Sequence, residues 1–170
     1  MKEFFVDIGD PRVHGDLVER DLYDFNDVFA RLFKKCEDKC RVIVNGNSID
    51  LIYRYDIADH FIYLVSMLSF LLESDEGEEI FNFASNDLYL DFDMKWANGR
   101  IRLDVYETMR YDYIDFGSLN IGLNYFLKSW LPLLELTSRI VHEYKLNLEL
   151  IEEYDLLESI KTKVSSLYIE

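Results

Sequence analysis

The chain has 170 residues and carries 33 acidic against 18 basic side chains, a formal net charge of −15. That surplus repels phosphate backbones and anionic lipid surfaces. It sets nucleic-acid and membrane binding aside and leaves a basic protein as the partner that charge favours. Nearly half the residues are apolar, and only 7 Gly and 2 Pro interrupt them, so disorder is excluded and one folded domain over 1–170 is expected.

In chain order, Phe4, Val6 and Ile8 alternate over residues 2–8 and predict a short strand that Gly9-Asp10-Pro11 ends. The opening residues are not read as a secretory leader, because no charged segment runs into an apolar one. Asp24 is placed to cap a helix over 24–38, where Phe25, Val28, Phe29, Leu32, Phe33 and Cys36 recur at helical spacing. Cys36 and Cys40 stand four apart near its end. They are too few for a disulfide framework, and a metal would need two further ligands, which the scattered His14, His60 and His142 do not supply at any ligand spacing. Reduced thiols and no cofactor are expected.

Next, 41–44 and 49–55 flank Asn45-Gly46, a hairpin signal that pairs Val44 with Asn47, Val42 with Ile49 and Arg41 with Asp50. Asp56 then caps a second helix over 57–73, apolar on nearly every side and therefore covered. Its longest mostly apolar run, Phe61 to Leu72, is too short to span a bilayer, and a cytoplasmic location follows as an expectation. The acid-dense 73–79 reads as an exposed loop and 79–84 as a strand.

The clearest signal is residues 87–106. Asn98-Gly99 suits a two-residue turn with positive φ at both positions, which sets Ala97 against Arg100, Trp96 against Ile101, Met94 against Leu103 and Phe92 against Val105. Leu88, Leu90, Phe92, Met94, Trp96, Ile101, Leu103 and Val105 then share one apolar face. Tyr89, Asp91, Asp93, Lys95, Arg102, Asp104 and Tyr106 share a polar one. Tyr111 and Tyr113 alternate into another strand over 111–117, so that 79–84, 87–96, 100–108 and 111–117 form an antiparallel meander. A bent helix over 120–146, with Pro132 either at the bend or in the first turn of a helix that starts at Ser129, and a last helix over 148–166 complete the chain. The class is α+β: an antiparallel meander sheet over about 79–117, with the N-terminal strands added, and helices on its apolar face.

Two chemistries fit the polar face. Asp91-Phe92-Asp93 is a DxD triplet with Asp104 opposite Asp93, and three convergent carboxylates can hold a divalent cation in an enzyme. Against this, Lys95 lies diagonal to Asp104 and Arg102 diagonal to Asp93, which neutralises the acids without a metal. The other reading is a contact surface, in which Tyr89, Tyr106, Tyr111 and Tyr113 anchor a protein partner while Asp91, Asp93 and Asp104 set its register. A third class, a small-ligand carrier, would place the aromatic residues around a cavity. No Ser-His-Asp order, HExxH, CxxC or Gly-rich phosphate loop is present.

Over 57–146 the layout is an apolar helix, an acidic stretch, a strand, Asn86-Asp-Leu-Tyr-Leu-Asp-Phe-Asp, Asn98-Gly-Arg-Ile-Arg-Leu-Asp-Val, a further strand and a long amphipathic helix. It resembles the small immunity proteins that bacteria carry against their own wall-associated, contact-delivered toxins. That pattern usually has Glu-Pro before the first hairpin strand, where this chain has Asn86-Asp87. The resemblance implies a non-enzymatic inhibitor that plugs the active site of a toxin, often a basic nuclease, and it carries across no individual residue.

Overall fold

The computed structural model describes residues 4–13, 24–33, 35, 37–84, 89–108, 113–147, 151 and 153–168. His14, Cys36, Asn86, Asp87, Leu88, Tyr111 and Leu150 lie outside them. The class is α+β, with two antiparallel sheets in place of the single extended one expected. The first joins β1 (Phe4–Asp7), β2 (Lys39–Val44) and β3 (Asn47–Ile52); the second joins β4 (Glu76–Ala84), β5 (Tyr89–Ala97), β6 (Arg100–Thr108) and β7 (Tyr113–Gly122), each in chain order.

Both Asn-Gly corners form as expected. Asn45 and Gly46 have φ of 50° and 83°, and Asn98 and Gly99 have 52° and 71°, the left-handed pair that a tight hairpin needs. The registers follow, with Val42 against Ile49 and Arg41 against Asp50 in one hairpin, and Phe92 against Val105 and Trp96 against Ile101 in the other.

Among the described residues the helices are α1 (Phe25–Leu32), α2 (Ala58–Glu73), α3 (Leu123–Ser129), α4 (Leu131–Glu143) and α5 (Tyr154–Ser166). The Asp24 carboxylate caps α1 by accepting from Asp27 N–H at 2.8 Å. That helix stops at Leu32 rather than 38, because Phe33 leaves it to stack on Tyr53 with ring centroids 4.7 Å apart. Cys40 accordingly sits in β2, buried, and not at a helix end; burial pushes its thiol well above the usual range.

A widened turn, Tyr53–Ile57, leads into α2. It folds the Asp56 carboxylate back to accept from Ile52 N–H at 2.8 Å, so Asp56 holds the strand-to-helix junction and does not cap α2. Tyr53–Glu73 is long and apolar enough to cross a membrane, yet 56% of its apolar window is buried inside the fold, against α1, α5 and β4. It is a core helix.

Three boundaries moved toward the C-terminus. β7 runs on to Gly122, taking Leu119 and Ile121 inward as strand residues. The helical segment then breaks at Trp130, and Pro132 sits in the first turn of α4, where its missing N–H has no partner to lose. This is the second of the two arrangements that Pro132 allowed in place of a bend, with the helix starting at Leu131 and not at Ser129. Finally, α5 runs from Tyr154, with Ile151 and Glu153 outside it; residues 148–150 of the expected helix lie outside the described residues.

Trp130 is fully buried where the layers meet, with Phe4, Phe83, Phe92 and Phe126 around it at centroid distances of 6.0, 6.3, 6.4 and 6.4 Å. Phe4 comes from the first sheet, Phe83 and Phe92 from the second. One aromatic core therefore fastens both sheets to α3–α4.

Candidate functional site: the outward face of the second sheet

Alternation along four paired strands sorts the second sheet into two faces. Phe81, Phe83, Leu90, Phe92, Met94, Trp96, Ile101, Leu103, Val105, Leu119 and Ile121 are buried inward. Outward, the pairing lines residues up in rows: Glu78–Lys95–Arg102–Asn120, then Ile80–Asp93–Asp104–Ser118, then Asn82–Asp91–Tyr106–Asp115. Beyond these, Ala84 faces Tyr89 and Thr108 faces Tyr113.

Of the residues expected to make a partner-binding surface, Tyr89, Asp91, Asp93, Asp104, Tyr106 and Tyr113 fall on this face, and Tyr111 lies outside the described residues. Tyr106 and Tyr113 meet with ring centroids 5.6 Å apart, so a tyrosine patch does span two strands. Tyr113 remains 64% exposed and Tyr89 44%. Burial, with the Asp91 and Asp93 charges next in weight, raises the Tyr106 phenol above its usual value, so it stays a neutral hydrogen-bond donor.

The charges pair differently from the expected diagonals. Lys95 reaches Glu78 on β4 at 3.2 Å, and Arg102 turns along its own strand to Asp104 at 3.2 Å. The reason is that β4 begins at Glu76, so the acidic run read as a loop is partly strand and brings Glu78 directly opposite Lys95. The Ser118 hydroxyl also donates to Asp104, and the Asn82 amide to Asp91. The Ser118 bond, ahead of the Arg102 bond and the Arg102 and Lys95 charges, holds the Asp104 carboxyl below the ordinary carboxylate range.

Asp93 and Asp104 do face each other across β5 and β6. Among the described residues, however, no group of three or more His, Cys, Asp or Glu is arranged to hold a metal ion. The aromatic side chains form packed clusters, one around Trp130 and another of Phe25, Phe29, Phe33, Tyr53 and Phe61. A groove of about 660 Å³ lies elsewhere, between Asp10, Asp38, Lys39, Arg41 and Asp50. Its two cations are engaged, Lys39 with Asp50 at 2.9 Å and Arg41 with Asp7 at 3.7 Å.

Sequence reasoning missed Glu78, Ile80, Asn82 and Ser118 as members of this face. The signal was there for Ile80 and Asn82, which alternate with Phe81 and Phe83 inside the expected strand 79–84; for Glu78 the charge density of 73–79 outweighed it. It also missed the β-bulge in β7, where Gly117 has φ of 88° and its N–H donates to the Asp115 carboxylate at 2.7 Å. The Asn45 amide donates to Phe116 C=O at 3.0 Å, docking the tip of the first sheet's hairpin on that bulge. No protein-family model matches the chain, and neither the curated proteins nor the solved structures hold a match to it.

Proposed function

We propose that this is a non-enzymatic binding protein that sequesters a basic protein partner on the outward face of its four-stranded sheet. The observation that carries the reading is the exposed face itself, where tyrosines at one end adjoin the carboxylates of Asp91, Asp93, Asp104 and Asp115. Rigid amphipathic rings beside fixed charges are what a protein interface uses for anchorage and register. A net charge of −15 favours a basic partner and speeds its encounter.

The layout resemblance narrows this to an immunity-type inhibitor of a toxin domain, acting in the cytoplasm of the cell that makes it. The carboxylates of Asp91 and Asp104 already accept from Asn82, Ser118 and Arg102, which favours such a surface over a metal-dependent active site. Capture from the native host tests the reading. The wild type retains a basic protein at low salt and releases it at about 0.5 M salt, where the Debye length has shrunk to a few ångströms. The double variant D91K/D104K fails to retain it. Recovery of only acidic proteins, or equal retention by the variant, contradicts the proposal.

A further inference from the structure

We infer that the free edge of β4 takes a short, basic β-strand from the partner. This rests on the reading of the protein as a binder of a basic protein and adds where a segment of that partner pairs. Among the described residues β4 pairs with β5 alone and forms one margin of the second sheet. Two other margins are engaged: the bulge in β7 receives Asn45, and Phe4 C=O on β1 accepts from the Tyr125 hydroxyl at 2.7 Å.

Three contacts show which backbone groups of β4 point away from β5. Glu76 C=O accepts from the Ser74 hydroxyl at 2.7 Å, Ile80 N–H donates to the Glu79 carboxylate at 3.3 Å, and Ala84 N–H donates to His60 Nε2 at 3.0 Å. All three residues are even-numbered. In an antiparallel ladder, alternate residues bond to one neighbour and the rest turn outward. Glu78 and Asn82 therefore turn their N–H and C=O groups to the open side as well.

The two ends of this edge are closed, and in the middle only Ile80 N–H is occupied, by the exposed carboxylate of its neighbour Glu79, which an incoming strand displaces. Ser74 occupies the first end. His60 closes the second, held by a contact of its Nδ1 with Asp56 C=O at 3.1 Å, which leaves Nε2 as the acceptor. Between them, Glu78 to Asn82 is a window about five residues long, the length of an ordinary strand. The Ile80 side chain stands at its centre, 56% exposed, as an apolar contact for an incoming side chain. Backbone bonds would supply affinity, and alternate side chains specificity.

Charge selects the occupant. Glu76, Glu78 and Glu79 are exposed on the strand, and Glu73 and Asp75 precede it. Lys95 offsets Glu78 at 3.2 Å and Lys163 offsets Glu73 at 3.5 Å, and acids still predominate along the edge. Two copies of β4 brought together would set glutamates against glutamates, which disfavours self-association. A strand with lysine or arginine at alternate positions meets opposite charges instead.

The test uses the full-length protein and the acetylated, amidated peptide Lys-Val-Lys-Val-Lys-Val-Lys as the probe, with Glu-Val-Glu-Val-Glu-Val-Glu as control. The basic peptide binds, the acidic one does not, and the amides of Glu78, Ile80 and Asn82 shift and gain exchange protection. I80P weakens binding roughly tenfold or more and keeps its fold, because proline at an outward N–H removes no ladder bond. If I80P melts early, E78K/E79K decides the matter by the same loss. Unchanged affinity in a folded I80P and in E78K/E79K overturns the proposal, as does equal binding of the acidic peptide or no binding of the basic one. Shifts confined to Tyr106 and Tyr113, with loss only in D91K/D104K, also overturn the edge while leaving the face as the partner site.

Discussion

Asp104 shows how single side chains on the outward face are held. Its carboxylate takes the Ser118 hydroxyl on one oxygen and the Arg102 guanidinium at 3.2 Å on the other, and its folded-state pKa lies below the ordinary value. A depressed carboxylate contributes stability that is fully present above the unfolded value of about 4 and is lost as pH falls through the lower folded value. The melting temperature of D104N therefore lies below that of the wild type at pH 7, and the gap narrows as pH drops below about 4. A gap that is constant from pH 7 to pH 2, read by thermal scanning, contradicts this. Neither Ser118 nor Arg102 could be assigned to Asp104 beforehand. Arg102 has two aspartates within reach, and Ser118 falls just past the end of the strand expected over 111–117. Position 104 itself was legible, because strict alternation from Ile101 to Val105 leaves it only the outward face.

Among elements, the corners and registers of the two Asn-Gly hairpins were legible, since a two-residue turn dictates its own register, whereas the strand expected over 49–55 stops at Ile52. The N98V/G99V variant tests how much rests on the second one. Two β-branched residues forced to φ near 52° and 71° cost about 1–2 kcal/mol each, so the variant melts several degrees lower, about 2–4 °C per kcal/mol for a chain of this size. A wild-type melting temperature by circular dichroism contradicts the turn assignment. The end of β7 was not legible, and the reason is specific. Leu119 and Leu123 stand four apart and suit a helix stripe, while Leu119 and Ile121 stand two apart and suit a strand. Four residues cannot separate these periods, and packing of Leu119 opposite Leu103 decides for the strand. The widened turn at Tyr53–Ile57 left no trace in the hydrophobic pattern, because it changes where Asp56 points and not which residues are apolar.

For the whole molecule, the division of labour is between an aromatic interior and a charged outer sheet. Phe4, Phe83, Phe92, Phe126 and Trp130 knit two sheets and the C-terminal helices into one body, so the outward face of β4–β7 is carried on a rigid support. Lys95 and Arg102 are paired within the sheet, with Glu78 and Asp104, and acids outnumber bases over the chain, so the long-range field stays negative. The α+β class and the sorting of the central hairpin's faces came through from pattern alone. The split into two sheets did not, because strand pairing between distant segments leaves no local mark.

The most direct measurement is a calorimetric titration of the captured basic partner into wild-type and D91K/D104K protein at two salt concentrations. If the outward face is the contact surface, the charge reversal weakens Kd by roughly tenfold or more at low salt. The difference shrinks as salt rises, while both proteins stay folded at the titration temperature, although D91K/D104K melts lower for want of the Asp104 bonds to Ser118 and Arg102. Equal Kd values for the two proteins at low salt would place the partner elsewhere on the molecule and contradict the account.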